Sequence, residues 1–493
     1  MEVQQHQADA VVVGSGYAGS IAALRLAEAG VDTLVLERGR RWPVSERGDT
    51  FTTQADPGGP DGRASWLSPS SPLTDKTLDV YTGVLESLDG DGLTMIAAAG
   101  VGGASLLSNA TMVEPSAELF RQAFGDVLDH EEMTGTWYPQ ARELIGCSPI
   151  PKDVYDSDFY AAARSFADQL TRAGIPYELV DLAVDWDVIR AEMAGTRVAA
   201  EIAGLNLFGV NSGAQRSVDR TILARAEATG RVEVRPLSVV TAIRPAGNGH
   251  VVEYDTIDER GTVLARHHIA TGNLVLAAGT LGTTRLLMRA KAAGALPDLP
   301  DALGTKVGNS EVITARTGMP ENNPTQGGPS SILVKDWQDN PYAPVTLLNF
   351  PWPDAPSGQG WITTIGACPS PALGSFRYDS AKDDVVLSWP VDDPRVTRMA
   401  SAVQDTLERL NTANPGSRTA FAKVGTTGGN VVGGVPLGIV TDDRGAVRGY
   451  RGLYVVDSSL LHGSSGSVPP ALTVAAVAAR VVSRLVPAVV RAR

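Results

Sequence analysis

A chain of 493 residues with 43% hydrophobic and 20% charged residues can build two or three cores, separate or interleaved, and lies in the ordinary range for a globular protein. Its net charge of −13, with no Lys/Arg run, speaks against a phosphate-seeking surface, so nucleic acid is not an expected partner. The two cysteines, Cys147 and Cys368, form neither a metal-ligand spacing nor a disulfide framework, and no metal site is expected.

The opening MEVQQHQADA has no charged n-region and no apolar h-region, so a cytoplasmic location is expected. Residues 8–42 then read ADAVVVGSGYAGSIAALRLAEAGVDTLVLERGRRW. Val11–Val13 form a short buried strand, and Gly14, Gly16 and Gly19 make G-x-G-x-x-G at its turn into a helix. The three glycines allow a tight turn, approach of backbone to a pyrophosphate, and close helix–strand packing. The helix N-terminus offers free N–H groups to phosphates. Glu37 ends the second strand 18 residues beyond Gly19, where a carboxylate can accept from ribose hydroxyls.

Residues 43–80 are rich in Pro, Gly and Ser and read as a long irregular excursion. AAAGVGGASLLSNATM, residues 97–112, is a second glycine cluster, open to reading as a plain turn or as a pass close to a ring system. Helical patterns cover 117–146 and 157–174. GRVEVRPLSVVTAI and HVVEYDTID alternate as strands, and NLVLAAGTLGTTRLLMRAKAAG gives strand, turn and helix. Residues from Thr317 to Val391 suggest an antiparallel sheet, and RVTRMASAVQDTLERLNTAN an amphipathic helix. GLYVVDSSLLHGSSGSVPPALTVAAVAARVV is strand, loop and helix, with Ser467 as N-cap and Pro469–Pro470 in the first turn. The tail beyond is broken by Arg480, Arg484 and Pro487, so no run of about 18 apolar residues is present and no transmembrane segment is expected.

Nucleotide elements come first, middle and last, which implies interleaved domains. The expected fold is α/β with an α+β substrate part: a Rossmann-like nucleotide domain (1–41, 96–115, 217–315 and 424–493) interleaved with an antiparallel-sheet-plus-helices substrate domain (42–95, 116–216 and 316–423).

Taken together, VVVGSGYAGSIAALRLAEAGVDTLVLERG, YTGVLESL, GVGGASLL, AAGTLGTTRLLMRA, GSFRYDSAKDDVVLSW, TDDRGAVRGYRGLYVVDSSL and PPALTVAAVAARVV resemble the glucose–methanol–choline (GMC) oxidoreductases, and among them the flavin-dependent cholesterol oxidases. The resemblance covers nearly the whole chain and implies FAD. It places Gly14, Gly16 and Gly19 at the pyrophosphate, Glu37 at the adenosine ribose and Val240 by the adenine. Gly102, Gly103, Ser105 and Asn109 would lie near the flavin and its phosphates, and Asp457, Pro469 and Pro470 would hold the flavin half.

The same resemblance shows losses. Alcohol oxidation requires an acceptor for the hydroxyl proton, commonly a histidine. The family's histidine lies eleven residues before a T-D-D, and counting back from Thr441 reaches Asn430. No histidine occurs between His268 and His462; the latter is a candidate relocated base or simply a loop histidine. The family's flavin-side asparagine is Val468 here, and its substrate-sheet glutamate falls at Leu348 or Asn349, with no glutamate between Glu321 and Glu408. An N-G-G run reads Ser108–Asn109–Ala110.

These departures imply a flavoenzyme without the alcohol-oxidising groups: a redox-neutral cyclase or isomerase acting on a large apolar metabolite. Asn430, Asn349 and Ser108 would be oriented polar groups, and Leu348, Trp352, Trp361 and Val468 an apolar pocket. The competing readings are an oxidase or dehydrogenase using His462, and a binding protein for sterol-like molecules. A monomer is expected.

Overall fold

The computed structural model describes residues 3–53, 63–71, 76–319, 327–352 and 360–491. Its larger sheet is built from β1 (Val3–Val13), β2 (Thr33–Leu36), β5 (Val232–Arg235), β6 (Ser238–Ala246), β7 (Gly249–Ile257), β8 (Val263–Leu276) and β14 (Leu453–Val455). The order is β5-β2-β1-β8-β7-β6, with β14 added to the end of β8. The pairs β5–β2, β2–β1, β1–β8 and β8–β14 are parallel, with Val12 level with Val35 and Val275. Parallel strands are covered on both faces, which is why Ala10–Val13, Leu34–Leu36 and Leu274–Leu276 are unbroken apolar runs.

Helix α1 (Tyr17–Glu28) returns over this sheet and packs against the last helix, α5 (Ala471–Arg491). Both helices carry small buried residues that permit close approach: Ala18, Ala22 and Ala23 on α1, and Ala475, Ala476 and Ala479 on α5. Gly30, at φ +80°, ends α1 in the left-handed conformation that a side chain resists. Among the described residues α5 is the one helix long and apolar enough to cross a membrane, and most of its apolar window is buried within the fold. Within it Arg480 is 5% exposed and pairs with Glu132. Ser467 is not the cap of α5. It lies four residues ahead of Ala471 at φ +60°, since the two prolines intervene as an extended lead-in.

The second sheet, β13-β9-β12-β11-β10-β4, is made of β4 (Tyr177–Leu179), β9 (Glu311–Met319), β10 (Ile332–Asp336), β11 (Val345–Phe350), β12 (Gly360–Ala367) and β13 (Arg418–Val424). All its pairings are antiparallel. Helices α2 (Ala161–Ala173) and α4 (Pro394–Ala413) cover one face through Phe166, Leu170, Val403 and Leu407, which meet Val312, Val334 and Leu347. Asp393 caps α4 by accepting from the Arg395 amide at 2.9 Å, with Pro394 in the first turn. The domain boundary expected between residues 315 and 316 falls inside β9. That strand is hydrogen-bonded to β12 from Glu311 onward, so the substrate sheet starts at Glu311.

A buried ion-pair group joins the two parts near the short strand β3 (Thr94–Ala98). Glu86 lies between Arg38, which pairs with its Oε2, and Arg285, whose Nη1 is 3.0 Å from Oε1; Arg285 also reaches Asp384. Burial alone would raise the Glu86 carboxyl, but Arg38 and Arg285 hold it down at about 2. A carboxylate depressed in the folded state stabilises above its unfolded pKa and loses that contribution as the pH falls. Glu86 is therefore expected to supply on the order of 2–3 kcal/mol above about pH 5, lost progressively toward pH 2. Urea unfolding at pH 6 and pH 3.5 checks this: the fall in stability between the two pH values should shrink in Glu86→Gln.

Candidate active site

The first turn after β1 is shaped by its glycines. Gly14 sits at φ +98°, and a Cβ there would lie 2.4 Å from the Ala277 carbonyl oxygen. A Cβ on Gly19 would lie 2.0 Å from the Gly14 carbonyl oxygen. These two are fixed by internal packing. Gly16 differs: a Cβ there meets nothing closer than the Gly103 Cα at 3.9 Å, so the space beside it is open. Gly16 is also the N-cap of α1, with no side-chain cap and no acidic residue in the first turn. An open backbone at an uncapped helix N-terminus fits a pyrophosphate.

Glu37 is 5% exposed and organises this turn. Its Oε2 accepts from the Ser15 amide at 3.0 Å and hydroxyl at 2.7 Å, and its Oε1 from the Gly39 amide at 2.9 Å. Oε1 keeps one lone pair, enough for a ribose hydroxyl. Val240, half-buried on β6, is paired with Tyr254 of β7.

The second glycine cluster closes onto the first. A Cβ on Gly103 would lie 2.8 Å from the Gly16 Cα, and the Gly102 amide donates to the Ser15 hydroxyl at 3.1 Å. Ser105 is fully buried and spends its hydroxyl on Gly102 O and the Val218 amide. Gln215, not singled out from sequence, ties the end of the turn: its Nε2 donates to Ser105 O at 3.0 Å, Ser108 O at 2.6 Å and Ser108 Oγ at 2.8 Å. Ser108 also lies 3.5 Å from the Tyr17 hydroxyl, whose pKa burial pushes up to about 12. Ala110 retains φ +56° although it carries a methyl group, a conformation costing about 1 kcal/mol for a non-glycine residue.

Asn109 and Asn349 are both tied to residues 330–332, whereas Ser108 is held by Gln215. Asn109 pairs both ways with Ser330, its Nδ2 to the hydroxyl and its Oδ1 with the amide at 3.3 Å. Asn349 is 8% exposed, and its Oδ1 accepts from the Ser331 and Ile332 amides at 2.9 and 2.8 Å. Its carbonyl thus holds β10 against β11. Leu348 beside it is buried in the main core. Trp352 packs on Phe350, and Trp361 donates to Thr363 Oγ1 at 3.1 Å.

On the C-terminal side, Asp457 is 3% exposed and accepts four bonds: Gly279 N at 2.9 Å, Thr283 Oγ1 at 2.5 Å, Ser459 N at 2.9 Å and Ser459 Oγ at 2.6 Å. It fastens the head of α3 (Gly279–Ala292) to the turn after β14. Burial raises its pKa against those bonds. Val468 is fully buried, with its carbonyl accepting from the Ser465 hydroxyl at 2.5 Å, and Pro469 and Pro470 lead half-buried into α5. The Ser467 hydroxyl is buried without a hydrogen-bond partner, which fits a polar group of a bound cofactor. His462 points elsewhere: its Nε2 donates to Leu437 O at 2.9 Å, and burial lowers its pKa, so it is neutral near pH 7.

Asn430 is half-buried next to an exposed Gly429. Both amides donate to one carboxylate oxygen, Glu311 Oε2, at 3.0 and 2.8 Å. Glu311 is 7% exposed, and a Cβ on Gly428 would lie 2.4 Å from that oxygen, so glycine lets the carboxylate sit beneath the loop. Burial pushes the Glu311 carboxyl up to about 7, with the two amides acting in the opposite direction. Sequence reasoning missed this residue because it sought the displaced carboxylate further along the substrate sheet. Its only signal is a lone acid at the head of an apolar strand, NSEVITA. Among the described residues no hydrogen bond joins Asn430, Asn349, Ser108 and His462 to one another, and no three metal-ligating side chains converge.

Comparison with known proteins agrees with this geometry. A GMC oxidoreductase family model matches residues 372–478, and an FAD binding domain model matches residues 7–55. A cholesterol oxidase of Mycobacterium tuberculosis is 26% identical over 96% of this chain and 90% of its own length. A cholesterol oxidase of Acinetobacter baumannii is 22% identical over 62% of this chain and 55% of its own. Among solved structures, pyridoxine 4-oxidase from Mesorbium loti superposes with a TM-score of 0.66 at 15% identity, covering 97% of this chain and 99% of that one. A fungal aryl-alcohol oxidase gives 0.66 at 13% identity, covering 98% and 99%. Those two show the fold. With the glycine turns and Glu37 in place, the chain carries a GMC oxidoreductase C-terminal segment and an FAD-binding segment, is similar to a cholesterol oxidase over nearly its whole length, and is a flavoenzyme that binds FAD.

Proposed function

We propose that this chain is a redox-neutral GMC-type flavoenzyme, an isomerase or cyclase for a large apolar metabolite of polyketide, terpenoid or sterol type. One observation carries the reading: Asn430 occupies the loop position of the resembled family's histidine, and an amide cannot accept a hydroxyl proton. Val468 in place of the flavin-side asparagine agrees, being fully buried and apolar. Similarity to cholesterol oxidases supports an apolar substrate. Leu348, Trp352, Trp361 and Val468 supply the apolar wall, and Ser108, Asn349 and Asn430 the fixed polar groups. Such a site accelerates reactions by holding a flexible substrate in a reactive shape and by aiming hydrogen bonds at developing charge. FAD, when bound, supplies a flat polarisable wall with an intrinsic redox capacity that the missing base leaves idle.

His462 supports the second reading, an oxidase or dehydrogenase of a hydrophobic alcohol: it is neutral near pH 7, and the bond from Nε2 leaves Nδ1 as the acceptor.

Anaerobic mixing of the FAD-loaded protein with sterols and long-chain alcohols decides between them. The flavin absorbance should hold, and any product should equal its substrate in mass. Bleaching at a rate that supports turnover, lost in His462→Ala, would establish the second reading instead.

A further inference from the structure

We infer that Glu311 is the proton-carrying residue of this site, its Oε1 taking a proton from a carbon acid activated by a neighbouring carbonyl and returning it to another atom of the same molecule. The inference deepens the redox-neutral reading and rests on it for the placement of substrate against the 428–430 loop. The two carboxylate oxygens have different surroundings. Oε2 is anchored by the Gly429 and Asn430 amides, while Oε1 has no hydrogen-bond partner among the described residues. Anchoring one oxygen fixes the direction of the other, which is the arrangement a general base requires. The backbone around it is tied as well: the Glu311 amide donates to Asn309 Oδ1 at 3.2 Å, and its carbonyl accepts from Gly425 N at 2.9 Å.

No charged side chain competes for this group. On β9 itself, Arg316 is turned to Asn411, Gln169 and Ser417. Arg418 and Lys423 on β13 and Lys306 ahead of the Gly308–Asn309 strand are exposed, while β12, β3 and residues 425–430 carry no charge. Burial sets its titration near neutrality, where a carboxyl both accepts and donates at useful rates.

The step balances without a redox partner. A substrate C–H bond breaks, its electron pair delocalises onto the adjacent carbonyl, and an O–H bond forms at Oε1. That O–H bond then breaks as a C–H bond forms at a conjugated carbon, giving an isomer.

Progesterone in D2O serves as the probe, with deuterium uptake read by mass. FAD-loaded wild type should accelerate exchange over buffer, with a rate that rises through about pH 7 as the carboxylate ionises. Glu311→Gln should lower that rate by about 100-fold or more while keeping FAD absorbance, and Glu311→Asp should keep the pH-dependent limb at a reduced rate. Exchange at the wild-type rate in Glu311→Gln, or none above buffer in wild type, overturns the inference. If Glu311→Gln loses FAD, Glu311→Asp decides: exchange with the limb supports it, and FAD-bound protein without exchange overturns it. Anaerobic absorbance with alcohols reads the redox-neutral function separately. Bleaching that vanishes in Glu311→Gln would sink that function and keep Glu311 as the base.

Discussion

Gly14→Ala is expected to yield a protein that no longer retains FAD. The added Cβ would meet the Ala277 carbonyl oxygen at 2.4 Å and its carbon at 2.7 Å, both backbone atoms immediately after the end of β8. Neither can swing aside as a side-chain tip would. The residue must also hold φ +98°, which costs an alanine about 1–2 kcal/mol before any contact is counted. Overpacking of this kind adds about 1–3 kcal/mol, so the turn is expected to open and carry the α1 N-terminus away from the pyrophosphate position. The ratio of flavin to protein absorbance after gel filtration measures it. Gly16→Ala is the control with the opposite character: it has internal room, with 3.9 Å to the Gly103 Cα, so the fold should survive and only cofactor affinity should fall. A Gly14→Ala protein that keeps full flavin occupancy would mean that the turn is not held by the β1–β8 contact.

The second large effect concerns Asn430. Asn430→His should confer alcohol-dependent flavin bleaching, at least about 100-fold faster than in the parent, because general-base help contributes about 100- to 10,000-fold. The local backbone favours the exchange, since the bond from the Asn430 amide to Glu311 Oε2 does not involve the side chain that changes. Val468 still lacks the amide that the resembled family places beside the flavin, so Asn430→His with Val468→Asn should exceed the single replacement. Stopped-flow absorbance with a sterol panel reads both. No bleaching in either variant would show that this loop does not face the alcohol carbon.

How far the sequence was legible follows the range of the contacts. The β1–α1–β2 unit could be read because its signals are local: three glycines, a helix stop at Gly30 and a carboxylate at the strand end. Glu311 could not, because its partners Gly429 and Asn430 are more than a hundred residues away and only folding sets them together. The same limit affected Asn349. Its residue type suggested a polar lining group, yet its carbonyl is consumed by two strand amides that no spacing announces. Ser467 looked like a helix cap by type and position, but the helix starts only after two prolines and leaves its hydroxyl buried without a partner.

Asp457 carries a further consequence, for the order of events during synthesis. Two of its four bonds couple the head of α3 to the turn after β14, across 178 and 174 residues of sequence, and β14 itself completes the parallel edge of β8. A chain still on the ribosome has the glycine turn before Asp457 has been made. Contacts of such long range form late in folding. The larger sheet and the head of α3 are therefore finished only once the C-terminal segment has been made.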